Sequence, residues 1–385
     1  MTATERRPIV DLTDAEARRA LPLKWGTVPD DVIPAWVAEM DYAVDPVVMM
    51  AVQRALADGV TGYPLDDYPE LAEAYVGWAG RHFGWAPEPA AVRAVVDVTA
   101  GVRLAIDVLS GPGGVVFPTP GYNAQHRLAD ITGRAEHLLE VPASAERAEI
   151  DLDRLDGLLA DGAQTLILNQ PHNPWGRAFT RAELEGIRDV VLRHGARVVC
   201  DEIFAPLVLP GAEHVSYLAI DGTHDHAVAV VSASKAFNTA GLKCGQLVVP
   251  SAADRARLDA EPMSRNDSYS PLGMVAARAA YDHGDPWLAS LVERLDQQRT
   301  LLGSLLAEHL PEVRMRPIEA TYLAWLDASA YGHDDAAGVA LQRGRVMVSP
   351  GESYAPGTTG HVRLNVATSP ERLTEVVRRL AQAWT

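Results

Sequence analysis

The stretch VVSASKAFNTAGLKCGQLVV (230–249) sets Lys235 and Lys243, with Ser232 and Ser234, between apolar runs that read as buried strands. Lys235 follows its strand directly, so it falls at the strand's carboxyl end, where open α/β sheets bind ligands. An amine stripped of water there loses basicity and becomes a nucleophile suited to Schiff-base chemistry. For any lysine taken alone, a place in a surface loop is the plain alternative. The neighbours weigh against it here. Hydroxyl donors and a second cation beside a reactive amine suit a ligand that carries a phosphate.

Three other strand ends carry matching groups. TAGVRLAID (99–107) puts a small-residue turn between a strand and a helix, a geometry that leaves N–H groups for an anion. CDEIFAPLV (200–208) closes a strand with Asp201 and Glu202, and NQPHNPWGR (169–177) closes another with Asn173 in an Asn-Pro turn. PTPGYNAQ (118–125) adds Tyr122. Each has a bland counterpart as a cap or a turn. Together they form one inventory of amine, carboxylate, amide, anion cradle and aromatic ring at the edge of one sheet. Pyridoxal 5′-phosphate requires those groups: a lysine for its aldehyde, a carboxylate for its ring nitrogen, donors for its oxygens and a ring to stack on.

A mostly parallel sheet covered by helices must position them, because short β-rich runs alternate with longer helical patterns. Strands are expected at 91–99, 114–118, 135–141, 165–169, 196–201, 226–233 and 245–250. Among the helices between them, Thr180 with Glu183 forms a capping box and Gly195 marks the end. A long helical pattern, 285–310, leads to a smaller β/α segment: TYLAWLDA, a helix over 334–343, GHVRLNVA and a closing helix over 370–384. The expected organisation is an arm over 1–45 that also forms part of the small domain, a large domain over 46–284 and a small domain over 285–385.

Composition narrows the function classes. The chain has 385 residues, 48% hydrophobic and 22% charged, which is globular rather than disordered. A net charge of −17 without a basic stripe argues against nucleic acid as a partner. No apolar leader or run of 18 apolar residues is present, so secretory and membrane readings fail. Two cysteines, Cys200 and Cys244, fit a reducing cytoplasm and make no metal motif.

The motifs SxSKxFNxAGL, His-NPxG, DEI and VRLN resemble those of fold-type I pyridoxal-phosphate enzymes of the class I/II aminotransferase superfamily. LKWG…IPAWVAEMDY (23–42), GYPLDDYPELAEAYVGWAGRHFGW (62–85) and PHNPWGRAFTRAEL (171–184) look like its cystathionine β-lyase branch, the MalY/PatB-type C–S lyases. The resemblance implies an α/β, aspartate aminotransferase-like fold and a homodimer with shared active sites. By the same resemblance Lys235 would carry the cofactor, Asp201 would pair with its ring nitrogen, Asn173 would donate to its ring oxygen, and Tyr122 would stack on the ring. The amides of Gly101 and Val102, with Ser232, Ser234 and Lys243, would bind its phosphate. Tyr63 would reach into the partner's site, Arg363 would grip the substrate carboxylate, and Trp36 and Ala38 would line the substrate side.

Three features depart from the family. Phe204 stands where a phenolate-bonding Tyr or His is usual, and Trp175 stands at a usually small position, where it would narrow the pocket. PTPGYNAQ is closer to the general aminotransferases. The implied activity is β-elimination from cystathionine, cysteine or a related S-conjugate. The alternatives are transamination, a cyclase or oxidative variant, and a regulatory binding protein on the same fold.

Overall fold

The computed structural model describes residues 6–65, 68–142 and 147–385. The first five residues of the expected arm and Asp66-Asp67 of the 62–85 motif lie outside them. All seven strands expected for the large sheet are present. Their spatial order is Val92–Val95, Gly245–Val248, Ala227–Val231, Arg197–Asp201, Ala163–Asn169, Gly114–Thr119 and Glu136–Glu140. Gly245–Val248 runs opposite to the other six strands, which share one direction.

Both faces of this sheet are covered, which is why its strands read as unbroken apolar runs. Alternation still sorts the side chains. Val228, Val230, Val199 and Ile167 pack on one face with Val102 and Ile106 of the helix Val98–Leu109. Ala227, Ala229, Val198 and Leu168 pack on the other, with Leu184, Ile187 and Val191 of the helix Arg181–His194. That second helix has the expected capping box, and Gly195 closes it at φ 58°, a left-handed conformation that a side chain would oppose.

A smaller antiparallel sheet runs Ser349–Pro350, His361–Asn365, Leu323–Asp327 and Arg314–Met315. In its strand HVRLN, Val362 and Leu364 are buried in the core. Period-two alternation then turns Arg363 and Asn365 toward the segment 36–39, where they donate to its carbonyls. The amino-terminal pair Ile33–Pro34 joins Val346–Met347 in parallel, so chain start and chain end are stitched together. Among the described residues, no helix is long and apolar enough to cross a membrane.

One expected strand is shorter than its apolar run suggests. The strand stops at Val95, and Asp97 caps a helix that begins at Val98. The N–H of Gly101 is therefore engaged inside the helix, on the carbonyl of Asp97 at 2.9 Å. Gly101 and Val102, expected to bind phosphate, lie buried against the sheet and do not line the cavity at its edge, whereas Val98 and Thr99 do. A Cβ at Gly101 would stand 2.6 Å from Val230 Cγ1 and 3.1 Å from Val95 Cγ2, a packing reason for glycine. Gly101→Val is expected to destabilise the protein by about 1–3 kcal/mol through overpacking. Urea unfolding measures this, and an unchanged midpoint would contradict it.

Candidate active site

A cavity of about 510 Å³ opens at the carboxyl edge of the large sheet, between that edge, the segment 36–39 and the strand that carries Arg363. Its wall brings together Lys235, Asp201, Asn173, Tyr122, Ser234, Lys243, Arg363, Trp36, Ala38 and Phe204.

Lys235 Nζ donates to the carbonyl of Ala38 at 2.8 Å. Tyr322 OH donates to the same oxygen at 2.9 Å. Loss of water, then the positive charge of Arg363, lowers the amine to about 8, partly opposed by Glu39 and Asp201. Asp201 ends its strand in full burial. It accepts Gln125 Nε2 at 2.5 Å and the N–H of Ile203 at 3.0 Å. Burial outweighs these hydrogen bonds and raises the carboxyl to about 6. Tyr122 caps the helix Asn123–Ile131, and burial, then the charge of Asp201, pushes its phenol up.

Asn173 precedes a cis Pro174, its N–H is held by Asn169 Oδ1 at 2.7 Å, and its Oδ1 accepts Arg363 Nη1 at 3.1 Å. Arg363 Nη2 donates to the carbonyl of Trp36 at 2.6 Å, and Tyr354 lies with its ring centroid 5.0 Å from the guanidinium carbon. Arg363 Nε is buried with no hydrogen-bond partner. An enclosed guanidinium with an unused donor is ready for a carboxylate.

Ser232 and Trp175 sit differently from expectation, while Lys243 and Tyr63 do not. Ser232 lies behind the cavity wall. Its Oγ accepts the N–H of Ser234 at 3.1 Å and donates to the Cys244 carbonyl at 2.8 Å, so it shapes the turn that presents Ser234. Lys243 reaches the cavity with a half-exposed side chain, in an ion pair with Asp97 at 2.8 Å. Tyr63 is fully exposed and outside the cavity of its own chain. Trp175 does not narrow the pocket. It stacks on His172 at 3.7 Å between centroids, in the core, because a flat ring buries more surface there.

Other contributors escaped the sequence reading. Gln125 fixes Asp201 and falls one helical turn beyond Tyr122, a spacing that would have found it. Lys24 and Asp41 form a fully buried ion pair at 2.8 Å; Lys24 also holds the Glu39 carbonyl at 3.0 Å, and Trp25 Nε1 joins Asp41 at 2.7 Å. Opposite charges inside the apolar LKWG and EMDY motifs were their signal. Glu39 lines the cavity beside Ala38. Among the described residues, no cluster of three or more potential metal ligands occurs.

The family model for aminotransferase class I and II matches residues 30–380. The chain belongs to that family. It is 34% identical over 374 residues to the cystathionine beta-lyase of Corynebacterium glutamicum, which covers 96% of this chain and 98% of that protein. It is 33% identical to the cystathionine beta-lyase PatB of Bacillus subtilis, with 92% of each chain covered. The crystal structure of cystalysin from Treponema denticola, which contains pyridoxal 5′-phosphate, superposes with a TM-score of 0.91 at 25% identity, over 97% of this chain and 98% of that one.

Asp201 makes the site costly to maintain. The folded chain holds its proton more tightly than the unfolded chain does, so ionisation weakens folding; the penalty is absent below the unfolded value and complete above about 6. Asp201→Asn is therefore expected to stabilise the cofactor-free protein by about 1–3 kcal/mol near pH 7.5, and by much less near pH 4.5. Urea unfolding at both pH values measures the gap, and a pH-independent gap would contradict it.

Proposed function

We propose that this protein is a pyridoxal-phosphate-dependent C–S β-lyase, cleaving cystathionine, cysteine or a related S-conjugated amino acid to a thiol, pyruvate and ammonia. One observation carries the reading: Lys235, Asp201 and Arg363, from separate elements, meet on one cavity. Cystathionine beta-lyases at a third identity over nearly the full length support the branch.

The donor set fits the cofactor. Lys235 would hold its aldehyde carbon, Asp201 its ring nitrogen, Asn173 its ring oxygen, Tyr122 its face, and Ser234, Lys243, Val98 and Thr99 its phosphate. When bound, pyridoxal phosphate supplies an electron sink for a carbanion at the substrate Cα. Asp201 is the counter-charge that keeps a ring nitrogen protonated, and Gln125 orients it. Arg363 aligns the substrate carboxylate, with its guanidinium fixed by Trp36 and Asn173. Lys235, with its basicity lowered, is the group that removes the Cα proton. Phe204 offers no donor to the ring oxygen. It sits edge-on to Tyr322 at 5.8 Å and makes that part of the wall apolar, suited to a thioether.

The partner in this reading is a second copy of the chain. Tyr63 is fully exposed, and Val60, Leu65, Met49, Met50 and Leu56 are exposed apolar residues in the same part of the sequence. A homodimer would cover them and bring Tyr63 to the other site. Two buried thiols fit a cytoplasmic setting.

Purified protein supplied with pyridoxal phosphate should release pyruvate and ammonia from L-cystathionine in equal amounts. Conversion of the cofactor to its amine form without pyruvate would make it an aminotransferase instead. Lys235→Ala should lose the visible absorbance of bound cofactor on dialysis and lower turnover by at least about 10³-fold. Cofactor colour that survives dialysis would assign the attachment to another lysine.

A further inference from the structure

Three carboxyl groups line the cavity: Asp97, Asp201 and Glu39. Asp97 is engaged by the N–H of Ala100 at 2.9 Å and by Lys243. Asp201 is engaged by Gln125 and the N–H of Ile203. Glu39 differs. Its Oε2 is buried with no hydrogen-bond partner, although the backbone around it is pinned by Lys24, Asn365 and Asn238. It also adjoins Ala38, whose carbonyl receives Lys235 Nζ. An ionised carboxylate oxygen left unpartnered in a buried place is costly, whereas a protonated carboxyl is cheaper there and carries a transferable proton.

We propose that Glu39 is the general acid that protonates the departing sulfur in the β-elimination. The inference rests on the lyase reading above. A thiolate with an ordinary pKa near 8.5 gains from taking a proton as it leaves. The step balances within the chain. Lys235 takes the Cα proton, the C–H electron pair becomes the Cα–Cβ double bond, and the Cβ–S pair departs on sulfur. Glu39 transfers its proton to that sulfur. The Lys235 ammonium then returns a proton to the Glu39 carboxylate, so both groups are restored and one proton has passed from Cα to the thiol. The charges around Glu39 suit both halves of the cycle. Burial raises its carboxyl, Lys235 and then Lys24 pull it down, and Asp41 pushes it up. The Tyr322 hydroxyl, held on Ala38, faces the same charge.

The test compares wild type with Glu39→Gln on two probes, with visible absorbance as the check that cofactor is loaded. L-Cystathionine loses a thiolate that needs a proton; β-chloro-L-alanine loses chloride, which needs none. The variant should lose about 10²-fold or more in kcat for pyruvate release from cystathionine. On β-chloro-L-alanine it should lose less than about threefold, because no acid acts there. Equal losses on both probes, or no loss on cystathionine, overturn the inference while leaving the lyase reading intact. If Glu39→Gln fails to load cofactor, wild type decides the matter alone. Its rates on a series of S-aryl-L-cysteines should vary little with thiophenol acidity, and a steep dependence overturns the inference. Wild type that forms pyruvate from neither probe removes the lyase reading and this inference with it.

Discussion

The hydrogen bond from Lys235 to the Ala38 carbonyl joins two parts of the chain that fold for different reasons. Lys235 is delivered by a central strand of the large sheet, whose position is set by apolar burial on both faces. Ala38 is delivered by a segment with almost no secondary structure of its own. That segment is held by polar contacts: Asn365 on the carbonyls of Val37 and Glu39, Asn238 on the Met40 and Tyr42 carbonyls, and Ser349 on Trp36. Enclosure of the amine depends on both. The sheet alone would leave Lys235 facing solvent at an open edge, with ordinary basicity.

The Lys24–Asp41 pair has its place in that scheme. A buried ion pair is weak as a source of stability, since desolvation offsets most of the attraction. It is strong as a source of position, because neither charge tolerates a structure in which the other is absent. Trp25 and the Glu39 carbonyl complete its hydrogen bonds. The pair thus fixes the ends of a loop whose middle, Trp36 to Glu39, forms one wall of the cavity. Carbonyls turned toward Lys235 and Arg363 also stand in for part of the water those cations have lost.

The large sheet was readable because both its faces are buried, so each strand is an apolar run that ends where polar residues must begin. Chemistry at those ends was readable for the same reason: Lys235, Asp201 and Asn173 interrupt the pattern at the edge where a ligand can bind. The failures share another cause. Gly101 and Val102 looked like a turn because small residues favour turns, but Asp97 caps the helix earlier, and the glycine answers to Val230 instead. Trp175 looked like a cavity residue from its neighbours in sequence, yet the side chain went to the apolar side, over His172. Gln125 and the Lys24–Asp41 pair left a signal in spacing and charge, but their partners lie across long separations, and the unpartnered oxygen of Glu39 depends on side-chain direction, which residue order alone does not contain.

Asp201 and Glu202 show how the same alternation divides chemistry from scaffold. Successive residues at a strand's end point to opposite faces. Asp201 faces the cavity, where two donors do not repay its burial and its carboxyl stays raised. Glu202 faces the core on the other side, with Oε1 accepting Ser216 Oγ at 3.0 Å and the N–H of Tyr217 at 2.9 Å, and His214 3.5 Å from Oε2. Glu202 holds the following loop through Oε1, while its Oε2 is buried without a hydrogen-bond partner. Asp201 has a donor on each oxygen, yet burial keeps its carboxyl raised at the place where a cationic ring nitrogen would complete it. Exchanging the two would turn the raised carboxyl away from the cavity, so their order along the strand is constrained even though their chemistry is the same.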